Sequence, residues 1–556
     1  MFPREYIYPK YTGRVCSKVS LFVMERPIVT VKQGKLEGTV EENVLGSRRY
    51  IAFRGIPFAA PPLGELRFKD PEPPASWEGI RDASVNSGMS AQLELSFTTF
   101  QMVPAGTEDC LYLNVYKPES VYWKAKVPVM VWIHGGGFYY GCGNDDHKRF
   151  DYLLAKDVMI VSINYRLGAL GFLNLRHKEV CGNQGLKDQV AALKWIKENI
   201  GVFGGDSDNI TVFGVSAGSV SAHLLSISPL SKGLFHKAIL QSGLGTSDWA
   251  VMRRNQPETN SYRLASILGC DSTDPMQVLE FLRTIPHDKL VETQHQVLTA
   301  EEARVMDVPF GPTYDDIAKT PFMPNFNKLL EDDNNIPIMI GYTTHEYIMF
   351  LKDDNPETLK TMYEELPLYV EAFTNSKDKM KVMQLAKRVK QEYFNNKPFT
   401  KESMPAIVRW LSDFHFKFPI KDYIQQRSKN NKETYFYQFS YVGNEKTETM
   451  LIGNQFTSIG TSHTDDMSYL FYMPKCKIEN PAPPVEGTRD RKVVEWFTRM
   501  WTNFAKYGNP TPPFDQNLST TWLPVTQETF NYLDIGDILN MSSINNYKSI
   551  LQEMQF

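Results

Sequence analysis

Gly214-Val215-Ser216-Ala217-Gly218 constrains this chain more than any other stretch. It follows Asn209-Ile210-Thr211-Val212-Phe213, a β-branched and apolar run that reads as a strand, and it precedes Ser219 to Leu225, which can start a helix. A chain that passes from strand to helix in so few residues must turn sharply. A Cβ beside the serine would clash in that turn, so glycine flanks it on both sides. The serine hydroxyl is then pushed above the sheet, the geometry of a nucleophile elbow.

Further strand-like runs recur along the chain. Pro128–Ile133, Val158–Ile163 and Ile336–Gly341 each read as a buried strand, with a short helix predicted over Tyr152–Lys156. Leu186–Ile200 carries apolar residues at helical spacing with Lys and Glu opposite, and Gly204-Gly205-Asp206 closes that segment before the 210–213 strand. The alternation predicts an α/β fold, a large and mostly parallel central sheet flanked by helices. From about 250 to 430 helical patterns dominate and predict a helical cap. Pro57–Pro74 is interleaved with Phe58, Leu63, Leu66 and Phe68, which can pack, so it reads as an irregular loop rather than a linker. Residues 1–25 are expected to be an N-terminal extension and 26–556 a single domain.

Composition narrows the partners. With 42% hydrophobic and 22% charged residues in 556, the chain can bury a large core. A net charge of −4 offers no electrostatic reason for a nucleic-acid partner. No apolar run reaches the roughly 18 residues needed to span a bilayer, so no transmembrane segment is expected. Met1 to Tyr6 lacks a secretory apolar region and Val19–Met24 is too short to supply one, while Arg4, Lys10, Arg14 and Lys18 leave a transit-peptide reading open. Cysteines 16, 110, 142, 181, 270 and 476 are scattered without a C-x-x-C pair or His-rich spacing, which suits free thiols and predicts no metal site. The sequons at Asn209, Asn517 and Asn540 read as chance. A cytoplasmic location is expected ahead of a secreted or organellar one.

A serine hydroxyl needs a base, an orienter for that base, and donors for the oxyanion. His134-Gly135-Gly136-Gly137-Phe138 directly follows the 128–133 strand, and consecutive glycines let N–H groups point into a site unobstructed. Gly136, Gly137 and Ala217 are the expected donors. In α/β-hydrolases the chain order is serine, acid, histidine. His223 falls on the helix behind the serine, His236 in a packing segment and His415 in an aromatic helical stretch. His463 stands in the polar loop 459–466 before the apolar Met467–Tyr472, where a base or a plain surface histidine both fit. Glu346, in the loop after the 336–341 strand, is the candidate acid, because catalytic groups gather at strand C-termini in such sheets, although the residues alone favour a plain exposed carboxylate there.

These motifs, with Phe53–Pro57, Glu108–Asn114, Asn164–Gly168, Gly185–Gln189, Phe203–Asp206 and Gln241-Ser242-Gly243, stand in an order that resembles the carboxylesterase/cholinesterase-type serine hydrolases, most of all the insect α-esterases. The likeness runs from about Pro27 to near the C-terminus. It implies an α/β-hydrolase fold and a serine carboxylic-ester hydrolase working through an acyl-enzyme. Ser216, Glu346 and His463 would form the triad, with glutamate replacing the commoner aspartate. It implies no cofactor and no metal; the partners are small-molecule ester substrates and covalent organophosphate inhibitors. Arg54 with Glu108, and Arg166 with Asp188, match internal salt bridges of the family. Trp249, Phe350 and Phe418 fall where the likeness places acyl-pocket walls, and bulky aromatics there favour small or slender acyl groups.

Three positions depart from the pattern. Val215 stands where the family usually has a glutamate that joins a buried network with Ser242 and Asp466, which argues against a cationic choline-like substrate. Juvenile-hormone esterases typically carry glutamine at that position. Cys110 has no partner near Met89-Ser90-Ala91, so the family's first disulfide cannot form. Tyr347 replaces a common glycine beside Glu346. Two other readings stay open: a slow esterase that sequesters organophosphates or hydrophobic esters, and a non-catalytic adhesion or binding protein on the same fold.

Overall fold

The computed structural model describes residues 26–46, 48–96, 101–119, 126–253, 255–305, 308–331, 335–351, 353–544, 547–548 and 550–553. The expected extension 1–25, and Cys16 with it, lies outside them. An eleven-stranded sheet organises the chain. Its strands are β1 (Thr39–Glu42), β2 (Arg49–Pro57), β3 (Tyr112–Pro118), β4 (Val127–Ile133), β5 (Met159–Ile163) and β6 (Gly205–Val215). They continue as β7 (Lys237–Gln241), β8 (Ile338–Thr343), β9 (Thr434–Phe439), β10 (Phe530–Ile535) and β11 (Leu539–Ile544). The spatial order is β11-β10-β9-β8-β7-β6-β4-β5-β3-β2-β1. The run from β5 to β10 is parallel, and antiparallel strands close both edges.

Parallel strands are covered on both faces, so their sequences read as continuous apolar runs. In β4, Val129, Val131 and Ile133 pack into one core layer while Met130 and Trp132 pack into the other. The expected strands fall within a few residues of the observed ones. β8 starts two residues later than the sequence suggests, because Pro337 lacks an N–H; its carbonyl still accepts from Ala238. β6 extends further back than expected, through a register shift between Gly205 and Ile210. Asn209 lies in that irregular stretch, its side chain held between Lys237 Nζ at 2.5 Å and the Lys506 carbonyl at 3.3 Å.

Helix α1 (Gln184–Asn199) buries its apolar face and follows Asn183, which adopts the left-handed conformation at φ 65°. Helix α2 (Ala217–Ile227) leaves β6 directly. From Gln256 to Lys429 the described elements are helices apart from β8, among them α3 (Met404–Ser412) and α4 (Phe418–Lys429). Among the described residues no helix is long and apolar enough to cross a membrane.

One of the two expected salt bridges forms. Arg166 and Asp188, both buried, meet at 2.6 Å. Arg54 instead pairs with Glu41 and Asp145, each at 2.6 Å, and Glu108 takes Arg67. The reason lies in the 3₁₀ turn Gly64–Leu66, which delivers Arg67 to Glu108 and to the carbonyls of Arg283 and Ile285.

The turn between β6 and α2 shows why glycine is required. A Cβ on Gly218 would stand 2.1 Å from the Ile133 carbonyl oxygen, and one on Gly214 would stand 2.5 Å from the Gly218 carbonyl carbon. Both obstacles are backbone and cannot rotate away. Gly218→Ala is therefore expected to cost about 3 kcal/mol through overpacking. A melting temperature within about 1 °C of wild type would contradict this.

Candidate active site

Ser216 stands at the tip of the turn with φ 57° and ψ −127°, a strained conformation for a residue with a Cβ. The neighbouring backbone holds it there. Its N–H donates to the Gln241 carbonyl at 2.8 Å, and its own carbonyl accepts from Val220 at 2.9 Å. The register pairs Gly214 with both Ile133 and Leu240, so β4 and β6 end side by side. The His134–Phe138 loop therefore begins beside the serine. A Cβ on Gly135 would stand 2.6 Å from the Val215 carbonyl oxygen and 3.2 Å from Ser216 Cβ. Gly136 and Gly137 have φ values of 106° and 57°, and the Gly136 carbonyl accepts from Tyr139 and Tyr140. Among the described residues neither glycine N–H donates to a protein acceptor. Ala217 supplies the first N–H of α2.

Glu346 and His463 come from loops beyond β8 and β9. His463 Nδ1 lies 2.5 Å from Glu346 Oε2, while Glu346 Oε1 accepts the Thr343 N–H at 2.7 Å. Both side chains are buried, and Nε2, the other ring nitrogen of His463, has no hydrogen-bond partner. The two loops are also joined through their main chains, His463 N–H to the Glu346 carbonyl at 3.3 Å and His345 N–H to the Thr461 carbonyl at 2.9 Å. The pair is thus a carboxylate fixing an imidazole with its far nitrogen unengaged. Among the described residues no group of three His, Cys, Asp or Glu side chains is arranged to hold a metal ion.

Aromatic rings crowd the imidazole. Phe350 and Phe416 lie 5.3 and 5.0 Å from the His463 ring and stack on each other at 5.9 Å, and Trp249 meets Phe416 at 5.7 Å. Phe418, expected in this wall, packs against Phe414 instead. A π-helical turn over Asp413–Lys417 shifts the phase of the helix between α3 and α4, so Phe416 takes the place by His463. The aromatic run Phe414–Phe418 does not itself mark that shift, but Pro419, which has no N–H for the His415 carbonyl, follows it directly.

A family model for the carboxylesterase family matches residues 25–553. The chain belongs to the carboxylesterase family. Its α/β-hydrolase fold is the eleven-stranded sheet described above, and it is an ester hydrolase. It is 35% identical to esterase E4 of Myzus persicae over 516 residues, covering 90% of this chain and 89% of that one. It is 33% identical to a juvenile hormone esterase of Tribolium castaneum over 582 residues, covering 99% and 94%. It is also 39% identical to a para-nitrobenzyl esterase of Bacillus subtilis over 348 residues, covering 61% and 67%.

Val215 is buried in the apolar layer with Phe213, Ile239 and Met467. The polar groups behind the site link without a carboxylate at that position. Trp501 Nε1 donates to Gln241 Oε1, Gln241 Nε2 donates to Asp466 Oδ2, both at 3.1 Å, and Tyr437 Oη donates to the same oxygen at 3.5 Å. Asp466 Oδ1 and the Ser242 hydroxyl, both buried, have no partner. Burial, reinforced by the charge of Glu346, pushes the Asp466 carboxyl up to about 7.

That shift has a stability consequence. The folded state holds the Asp466 proton more tightly than the unfolded chain, whose carboxyl titrates near 4. The stabilisation is complete below about pH 4 and is lost as pH rises through about 7. Asp466→Asn keeps the acceptor for Gln241 and cannot ionise. The melting temperature of this variant relative to wild type is expected to be about 2 °C higher at pH 8 than at pH 5. An equal difference at both pH values would refute this.

The five cysteines among the described residues are unpaired. Cys110 is buried, which pushes its thiol up to about 12, and it lines one small cavity with Ser90 and Ala91.

Proposed function

We propose that the chain hydrolyses carboxylic esters through an acyl-enzyme on Ser216. The observation that carries the reading is the buried contact between His463 Nδ1 and Glu346 Oε2, which leaves Nε2 to accept a proton. Ser216 Oγ attacks the ester carbonyl carbon as its proton passes to Nε2. The oxyanion receives hydrogen bonds from the N–H groups of Gly136, Gly137 and Ala217. The carbon–alkoxide bond then breaks and the alkoxide leaves with the proton from Nε2. Water, deprotonated by the same nitrogen, adds to the acyl carbon and releases the acid and the free serine.

Phe350 and Phe416 beside the imidazole, with Trp249 against Phe416, favour small or slender hydrophobic acyl groups, xenobiotic esters among them. The same serine would accept the phosphoryl group of an organophosphate as a covalent inhibitor. The unpaired cysteines support placing the protein in the reducing cytoplasm. A fluorophosphonate probe tests the core of the reading: one adduct per chain is expected, mapped by mass spectrometry to Ser216. Adducts elsewhere, or none, would overturn it.

The apolar Val215, next to the serine, supports a second reading in which deacylation is slow and the protein sequesters esters and organophosphates stoichiometrically. A pre-steady-state burst of p-nitrophenol near one per chain, followed by a far slower steady rate, would select the scavenger. Linear release without a burst would remove it.

A further inference from the structure

We infer that a buried Asp248–His415 pair sets acyl-chain selectivity by holding the aromatic pocket wall against His463. This rests on the ester-hydrolase reading of the site above. His415 Nδ1 lies 2.9 and 3.0 Å from the two carboxylate oxygens of Asp248, and both side chains are buried, that of His415 completely. Each partner is the immediate neighbour of a wall residue: Asp248 precedes Trp249, and His415 precedes Phe416.

Three separate segments converge on this histidine. The loop after β7 brings Asp248 and also Trp249, whose indole N–H donates to the His415 carbonyl at 3.2 Å. The loop after β8 brings Tyr347, whose ring stacks on the imidazole at 5.2 Å with 14° between the planes, and whose N–H donates to the Ser412 hydroxyl at 3.0 Å. Phe373, in the helical cap, packs edge-on at 4.4 Å. Pro419 leaves the His415 carbonyl, in the π-helical turn, without its α-helical donor. In that turn the Phe418 N–H reaches back to the Asp413 carbonyl, out of step with the α-helical pattern. One residue is thereby gripped by its side chain, its ring face and its main chain.

The adjoining residue, Phe416, meets the imidazole of His463. A buried polar pair is a costly way to fill space, since losing either partner leaves the other unsatisfied. Here the pair fixes the position of a π-turn, an element whose phase sequence alone leaves loose. With the pair removed, the turn ahead of Pro419 loses its anchor and Phe416 withdraws from the site. The acyl pocket then deepens, and longer chains gain relative to acetate. His415 and Asp248 are positioning residues, because neither reaches the reacting atoms.

The test compares kcat/KM for p-nitrophenyl hexanoate and acetate in wild type, His415→Leu, Asp248→Ala and His415→Asn, with fluorophosphonate labelling of Ser216 in each. His415→Leu and Asp248→Ala are expected to raise the hexanoate-to-acetate ratio about fivefold or more while labelling stays within about threefold of wild type. His415→Asn, whose amide N–H occupies the place of Nδ1, is expected to bring the ratio back to within about twofold of wild type. Labelled variants with unchanged ratios, or a uniform loss across both esters, would overturn the inference and leave the serine assignment standing. If His415→Leu fails to fold, Asp248→Ala decides by the same criterion. A wild-type enzyme that takes no label would overturn both readings.

Discussion

Ser216→Ala is expected to lower kcat for p-nitrophenyl acetate by about five to six orders of magnitude. The size follows from the local structure. The elbow places one hydroxyl at the tip between β6 and α2, and the glycine loop of β4 is pressed against it. Alanine keeps the Cβ that already occupies φ 57°, so the turn keeps its shape and only the proposed nucleophile disappears. Glycine contacts around the tip are backbone contacts and are unchanged. The variant should therefore melt within about 2 °C of wild type while losing turnover. A variant that retains more than about a hundredth of wild-type kcat would show that another group carries the reaction.

Glu346→Gln is expected to reduce kcat by about four orders of magnitude, although it changes one atom. Oε1 of Glu346 accepts the buried Thr343 N–H, so a glutamine would keep its carbonyl oxygen there and turn its NH₂ toward His463 Nδ1. Two donors cannot face each other. The imidazole would have to carry its proton on Nε2, the nitrogen proposed to accept the serine proton. Turnover and fluorophosphonate labelling should fall together. Labelling at the wild-type rate would indicate that the orientation of His463 does not depend on the carboxylate.

How much of this was readable in the amino-acid sequence differs from element to element, for physical reasons. The parallel core announces itself because strands buried on both faces are continuously apolar, as in Val129–Ile133 and Ile338–Ile340. The glycines at 214 and 218 are legible because backbone atoms within the same turn and the adjacent strand exclude a Cβ. Long-range choices were harder. Arg54 lies within β2 and Arg67 just after a 3₁₀ turn, and both have acids within reach, so sequence did not decide which one meets Glu108. Phe416 and Phe418 differ by two positions in one aromatic run, and only the π-turn determines which faces His463. Tyr347, next to Glu346 in sequence, lies over His415 because Ser412 draws its backbone N–H toward α3.

The main-chain hydrogen bonds that join the 345–346 and 461–463 segments have a mechanical consequence. Glu346 and His463 are tied twice through the backbone and once through their side chains, so they move as one rigid body. Ser216 belongs to a second body, clamped to Gln241 and Val220. The two bodies are joined behind the site by Gln241, whose side chain donates to Asp466. In the proposed mechanism, pocket walls can drift, and with them the preferred ester, as long as the placement of these two bodies is preserved.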